Sequence, residues 1–377
     1  MLRSSLSIPY LKPGDRVAGR YRIVQILGAG GYATVYKAEQ LNLAGRLVAL
    51  KVLDLPEGSE DAGVAAERFL REAEAAARIN HPNVVTIFDV GRLDDDRPFM
   101  ALEYCEGQSL SNIIDRRGPL APRRLRALLL GALDGLARAH DLGIVHRDLK
   151  PDNLILTEPD TRAEALRIID FGIARSRGAE RHLTQAHHRV GTVRYLSPEY
   201  IARGLVSPAL DVYQMGLVMI EALSGTFAVG GRDTPHNLNL IERGDLRIPP
   251  ALLDGPLGAV IASAIALDVR DRFPDAAAMR DALEAVDPPA LDPVPRPALR
   301  SGPLAARHAH TERLGTGDLI DIHEPMPPTA ALLAPERHAL TALAAAAPRR
   351  RLPAWAWIAA SLALILTTAA QIGRAHV

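Results

Sequence analysis

The chain has a single cysteine, Cys105, in 377 residues. That excludes an intramolecular disulfide and a cysteine zinc cluster, and points to a reducing compartment for the folded part. It has no excess of either charge, since 44 Lys and Arg balance 44 Asp and Glu, which argues against a nucleic-acid binder working through a broad basic surface. Met1 to Asp15 contains no apolar run of signal-peptide length. Lysine is scarce: among the 44 basic residues only Lys12, Lys37, Lys51 and Lys150 are lysines. A chain that writes nearly every positive charge as Arg marks the positions where it keeps the compact ammonium.

What is present is 48% hydrophobic residues over a length that holds one large or two ordinary domains. Residues 21–286 read as one globular unit. Tyr21–Leu27, Ala33–Gln40, Leu47–Leu53, Val84–Val90 and Phe99–Glu103 are short strand-like runs. A helix over Ala65–Ile79 interrupts them and ends at His81-Pro82-Asn83. After Gly107 the pattern turns helical, over Leu125–His140, Asp211–Leu223, Ala259–Leu267 and Ala276–Ala285. A small β-rich part followed by a larger α-rich part predicts an α+β protein of two lobes, 21–104 and 105–286, with a cleft between them. Residues 1–20 read as an N-terminal extension. Residues 287–351 form a Pro/Ala/Arg-rich linker, with 12 of the 28 prolines between Asp287 and Pro353.

Chemistry-bearing residues fall in a fixed order. Leu27-Gly28-Ala29-Gly30-Gly31-Tyr32-Ala33-Thr34-Val35 is a glycine turn between two strands. Glycines let backbone N–H groups approach phosphate oxygens where a Cβ would collide. Alone it is a weak signal, equally compatible with a hairpin that binds nothing. Val48-Ala49-Leu50-Lys51 ends an apolar strand on one of the rare lysines, with Glu72 on the following helix as an ion-pair partner. Such a lysine is ordinarily a snorkelling surface residue. His146-Arg147-Asp148-Leu149-Lys150-Pro151-Asp152-Asn153 is the strongest segment, followed by Asp170-Phe171-Gly172, Gly191-Thr192 and Ser197-Pro198-Glu199.

These motifs resemble those of the eukaryotic-type Ser/Thr protein kinases, particularly their bacterial membrane-bound relatives. The resemblance covers residues 21–286, about seven-tenths of the chain. Ala33 stands where the usual pattern has a third glycine, a mild departure. The family implies a bilobal fold and ATP-dependent transfer of a phosphoryl group to protein hydroxyls, with Mg²⁺ as the metal and Mn²⁺ as a substitute. It implies Asp148 as the group that accepts or orients the acceptor's proton, and Lys150 reaching the transferred phosphoryl. Lys51, held by Glu72, would contact the α- and β-phosphates, and Asn153 and Asp170 would hold the metal as hard oxygen ligands. The adenine would lie between Leu27, Val35 and Ala49 above and Ile155 below. Its edge would bond the hinge backbone at Glu103 and Cys105, with Leu102 as gatekeeper and Gly28 and Gly30 over the phosphates. Gly191, Thr192, Ser197, Pro198 and Glu199 belong to the segment that supports a bound polypeptide. Asp211 and Arg272 match positions that brace the catalytic loop and pair with Glu199. Arg147 implies a phosphorylated partner on the loop after Asp170. With Ser176 too near the metal motif and Thr192, Tyr195 and Ser197 in or beside the substrate segment, Thr184 is the expected switch. A kinase-domain dimer for trans-autophosphorylation is a further expectation.

Two other classes share parts of this pattern. Small-molecule phosphotransferases carry the catalytic Asp, Asn and metal Asp but lack the segment 191–199. A pseudokinase scaffold would have lost a group that touches ATP or metal, and Lys51, Glu72, Asp148, Asn153 and Asp170 are all intact. Cys105 reads as a small hydrophobe of the hinge rather than a redox switch. Near the end, Arg349-Arg350-Arg351 precedes the uncharged run 352–373, whose helix of roughly 28 Å from Ala354 to Ile372 approaches the hydrocarbon thickness. This predicts a single-pass anchor in the cell membrane with Trp355 and Trp357 at the lipid interface and the kinase on the cytoplasmic side. Residues 372–377, Ile-Gly-Arg-Ala-His-Val, are what a common sequencing adapter encodes, and are expected to be artificial, with an extracytoplasmic segment beyond them.

Overall fold

The β-strands of the small lobe follow from period-2 alternation. Along Ala33–Gln40, Thr34, Tyr36, Ala38 and Gln40 are buried while Ala33, Val35, Lys37 and Glu39 are only partly covered. Arg46–Leu53 repeats the pattern with Val48, Leu50 and Val52 fully buried. The computed structural model describes residues 10–30, 33–54, 62–171 and 193–291. All lie in the first of the chain's two units, 1–314.

The small lobe is a six-stranded sheet in the order β1-β2-β3-β4-β6-β5. Its strands are β1 (Arg16–Val17), β2 (Tyr21–Ala29), β3 (Ala33–Gln40), β4 (Arg46–Leu53), β5 (Ile87–Arg92) and β6 (Pro98–Glu103). All neighbours pair antiparallel. One face closes over Tyr21, Ile23, Tyr36, Leu50 and Phe99. The helix α1 (Ala62–Ala76) packs against β5 and β6 through Phe69 and Ala73 and joins the large core below.

The second lobe opens with β7 (Gly107–Ser109), α2 (Leu110–Arg117) and the long α3 (Pro122–Asp141). Proline at the start of α3 costs nothing, because the first helical N–H has no intrahelical partner. Strands β8 (Leu154–Thr157) and β9 (Ala165–Ile168) complete a three-stranded sheet with β7. Then come α4 (Pro198–Arg203), α5 (Pro208–Ser224), α6 (Thr234–Arg243), α7 (Pro250–Leu253), α8 (Gly258–Ala264) and α9 (Ala276–Glu284). Nearly every residue of α5 is buried, the mark of a helix surrounded by protein. It is the beam on which the catalytic loop rests.

Two boundaries differ from the sequence reading. The sheet starts before Tyr21: β1 pairs Val17 with Tyr21, and Val17 is buried. Gly14 and Gly19, both at positive φ, make the turns that fold this stretch back. At the other end Leu291, beyond Val286, packs into the main core. The expected linker, the apolar run 352–373, residues 372–377 and the loop bearing Gly172, Thr184, Gly191 and Thr192 lie outside the described residues. Among the described residues no helix is long and apolar enough to cross a membrane.

Candidate active site

The partly covered face of β3 and β4 is the roof of the cleft. Register places Val35 opposite Lys51 and Lys37 opposite Ala49, so the expected nucleotide contacts share one surface. Gly30 closes the glycine turn by donating its N–H to Ala33 O at 2.8 Å. A Cβ added at Gly28 would meet nothing within 4 Å, so the backbone there borders open space. Leu27 precedes it on β2, and Ile155 lies on β8 below.

The hinge follows β6. The Glu103 N–H is committed to Thr86 O at 2.9 Å, so the expected adenine contact at Glu103 falls to its carbonyl. The Glu103 carboxylate is pinned by Arg167 of β9 at 2.5 Å, a tie between hinge and second lobe that sequence reading missed. Burial pushes the Cys105 thiol up, which fits a packed hinge residue and not a reactive thiolate. Lys37, the unexplained lysine of the roof, sits 4.4 Å from the centre of the Tyr104 ring.

The catalytic loop crosses beneath. Asn153 is buried and donates to the Asp148 backbone carbonyl at 2.7 Å, which leaves its side-chain oxygen for a metal. Lys150 Nζ lies 3.4 Å from the Asp148 carboxylate. Buried His146 accepts the Asp148 N–H on Nδ1 at 3.2 Å and therefore donates from Nε2 to Ile169 O at 3.0 Å. Burial first of all holds this imidazole below its ordinary pKa, so it is a neutral strut between the backbone of Asp148 and that of Ile169, the residue before Asp170. Its ring lies 4.6 Å from that of Phe171. Below, the fully buried Asp211 accepts the N–H groups of His146 and Arg147 at 2.7 and 2.8 Å and faces His140 Nε2 at 3.0 Å. Arg147 and Asp170 both sit at positive φ, 68° and 62°. Such backbone costs roughly 1–3 kcal/mol for a non-glycine and persists where surrounding bonds enforce it.

One expected contact is corrected. Lys51 pairs with Asp170 and not with Glu72. Glu72 Oε2 is buried without a hydrogen-bond partner, and burial raises its pKa against the partial offset of Arg147 and Arg68. Asp170 is also penalised by burial, but the charge and hydrogen bond of Lys51 together hold its carboxyl below the usual range. A cavity of about 10 Å³, no larger than one water, is bounded by Ala76, Leu102, Asp170 and Phe171 one turn along α1 from Glu72.

The segment 193–199 is anchored from two sides. Val193, Leu196 and Ser197 are buried, and Tyr195 donates its hydroxyl to Glu221 of α5. Pro198 starts α4, and Glu199 receives Arg272 in a bidentate pair at 2.9 and 2.8 Å. The cleft thus carries hard oxygens at Asn153 and Asp170, an ammonium from each lobe, and a carboxylate at Asp148. Those donors fit a metal-bound nucleoside polyphosphate.

This fold and cleft define a phosphotransferase of the bilobal class. Residues 21–252 match the family model described as "Protein kinase domain", and the chain belongs to that family. It is similar to the serine/threonine-protein kinase pkn3 of Myxococcus xanthus, 33% identical over 78% of this chain and 55% of that one. It is 36% identical to PrkC of Bacillus subtilis over 58% of this chain and 32% of the relative, and 33% identical to PknL of Mycobacterium bovis over 81% and 76%. It therefore spans only part of the length of pkn3 and PrkC. Among solved structures, the PknI kinase domain of Mycobacterium tuberculosis matches with a TM-score of 0.55 at 28% identity, over 74% of this chain and all of that one.

Proposed function

We propose that the protein is an ATP-dependent Ser/Thr protein kinase that uses Mg²⁺ and is activated by autophosphorylation at Thr184. The observation that carries this reading is the convergence of Lys51, Asp148, Lys150, Asn153 and Asp170 on one cleft beside the anchored segment 193–199. Bound Mg·ATP supplies the phosphoryl group and the cation that shields its charge. Asp148 orients the acceptor hydroxyl and takes its proton, while Lys150 neutralises charge on the group in flight. Lys51 would hold the phosphates, and Asn153 and Asp170 would hold the metal. Catalysis is then mostly positioning and electrostatics. A Thr184 phosphate would add nearly two negative charges for Arg147 to bind.

The same reading places the kinase on the cytoplasmic face of the cell membrane, held by the run 352–373 behind Arg349-Arg350-Arg351. Its acceptors are other proteins and a second copy of itself. Incubation with Mg·ATP followed by phosphopeptide mapping tests the proposal. Phosphate on Ser or Thr with Thr184 occupied supports it; an active enzyme with Thr184 unmodified removes the assigned switch.

A further inference from the structure

Gln214 is an anomaly inside α5. It is 1% exposed in a helix buried along nearly its whole length, where an amide without partners would be costly. Both N–H donors and the oxygen of its carboxamide are used. Oε1 accepts the Leu149 N–H at 2.9 Å, and Nε2 donates to Arg147 O and to Tyr195 O, each at 3.1 Å. The flipped amide would set N–H against N–H and carbonyl against two carbonyls, so chemistry fixes the orientation.

The placement matters more than the satisfaction. Arg147 and Leu149 flank Asp148, while Tyr195 belongs to the substrate segment. One rigid amide plane therefore holds both neighbours of the catalytic carboxylate and the backbone against which an acceptor peptide would lie. Asp211, one turn earlier on α5, grips His146 and Arg147 from the same helix, but its contacts given above do not reach the substrate segment. We propose that Gln214 is a positioning residue that sets the distance between Asp148 and the bound acceptor. This rests on the protein-kinase reading above. Glu or Met of the same length lacks the two donors.

The test is Gln214→Met, which keeps length and volume and removes all three bonds, measured with casein as acceptor. Transfer to casein should fall at least tenfold in kcat, while Mg·ADP affinity stays within about twofold. Gln214→Asn, with the same groups one methylene shorter, should recover part of the loss. Casein phosphorylation within twofold of wild type, or an equal fall in nucleotide affinity, overturns the proposal. Amide exchange at Leu149 in the unmutated protein gives a reading independent of any variant's folding. Protection comparable to the amides of α5 supports the bond, and exchange at the rate of an open loop overturns it. A wild-type protein inert towards casein and towards itself contradicts the kinase reading instead, and Leu149 exchange still decides whether Gln214 holds the loop.

Discussion

At the scale of single residues the cleft makes unequal demands on its charged groups. Asp148→Asn and Lys51→Met remove charge without removing core volume, so each should cut phosphoryl transfer by roughly 10²–10⁴-fold. Their melting temperatures should stay within a few degrees of wild type, and unchanged autophosphorylation would remove the role given to that residue. Glu72 makes a two-sided prediction. Its carboxyl is raised in the folded protein above the ordinary 4.5, so the folded state holds the proton more tightly than the unfolded chain does. Ionising it costs stability that is absent below about pH 4.5 and grows as pH rises through the folded pKa. Glu72→Gln should therefore melt higher than wild type at pH 7, with the gain shrinking on acidification, yet transfer phosphate more slowly. A gain independent of pH would show that the Glu72 charge is not the cause. The residues named by motif were legible because the order and intervals of the motifs resemble those of the family. The partner of Lys51 was not, since it depends on which of two carboxylates packing brings within reach of the ammonium.

At the scale of elements the strands and helices with clear periodicity lie where the alternation predicts, and their ends move by tertiary contacts. The helix read as Asp211–Leu223 runs from Pro208 to Ser224, and the one read as Ala259–Leu267 stops at Ala264. β1 is too short to leave a period, and Val84 makes only an isolated bridge to Ile168 instead of opening β5. Gly131 and Gly135 lie inside α3 against helix propensity. A Cβ at either would come within 3 Å of the side chains of Asn83 or His81, so the loop after α1 docks on a strip kept bare for it. The link between α4 and the C-terminal helices is the Glu199–Arg272 pair, with the Arg272 side chain wholly buried. Removing one partner of a buried pair strands the other, so Arg272→Ala should lose about 3–5 kcal/mol in denaturant unfolding. A loss under 1 kcal/mol, the range of exposed pairs, would contradict this.

At the scale of the whole molecule the kinase domain was readable because catalysis requires several residue types in one order. The acceptor was not, because fold and motif fix a reaction and leave the partner to surfaces. The membrane reading rests on composition alone, so it calls for its own experiment. The full chain should sediment with membranes, and a chain ending at Arg351 should stay in the supernatant with its kinase activity intact. A full chain that stays in the supernatant would remove the anchor. The central claim is that this cleft transfers phosphate from ATP to protein hydroxyls. It is tested most directly by incubating the purified wild-type chain and Asp148→Asn with Mg²⁺ and γ-labelled ATP and identifying the labelled amino acid. Label on Ser or Thr with wild type, lost at least a hundredfold in the variant, is the predicted result; no labelled protein with wild type, or equal labelling by both, would contradict it.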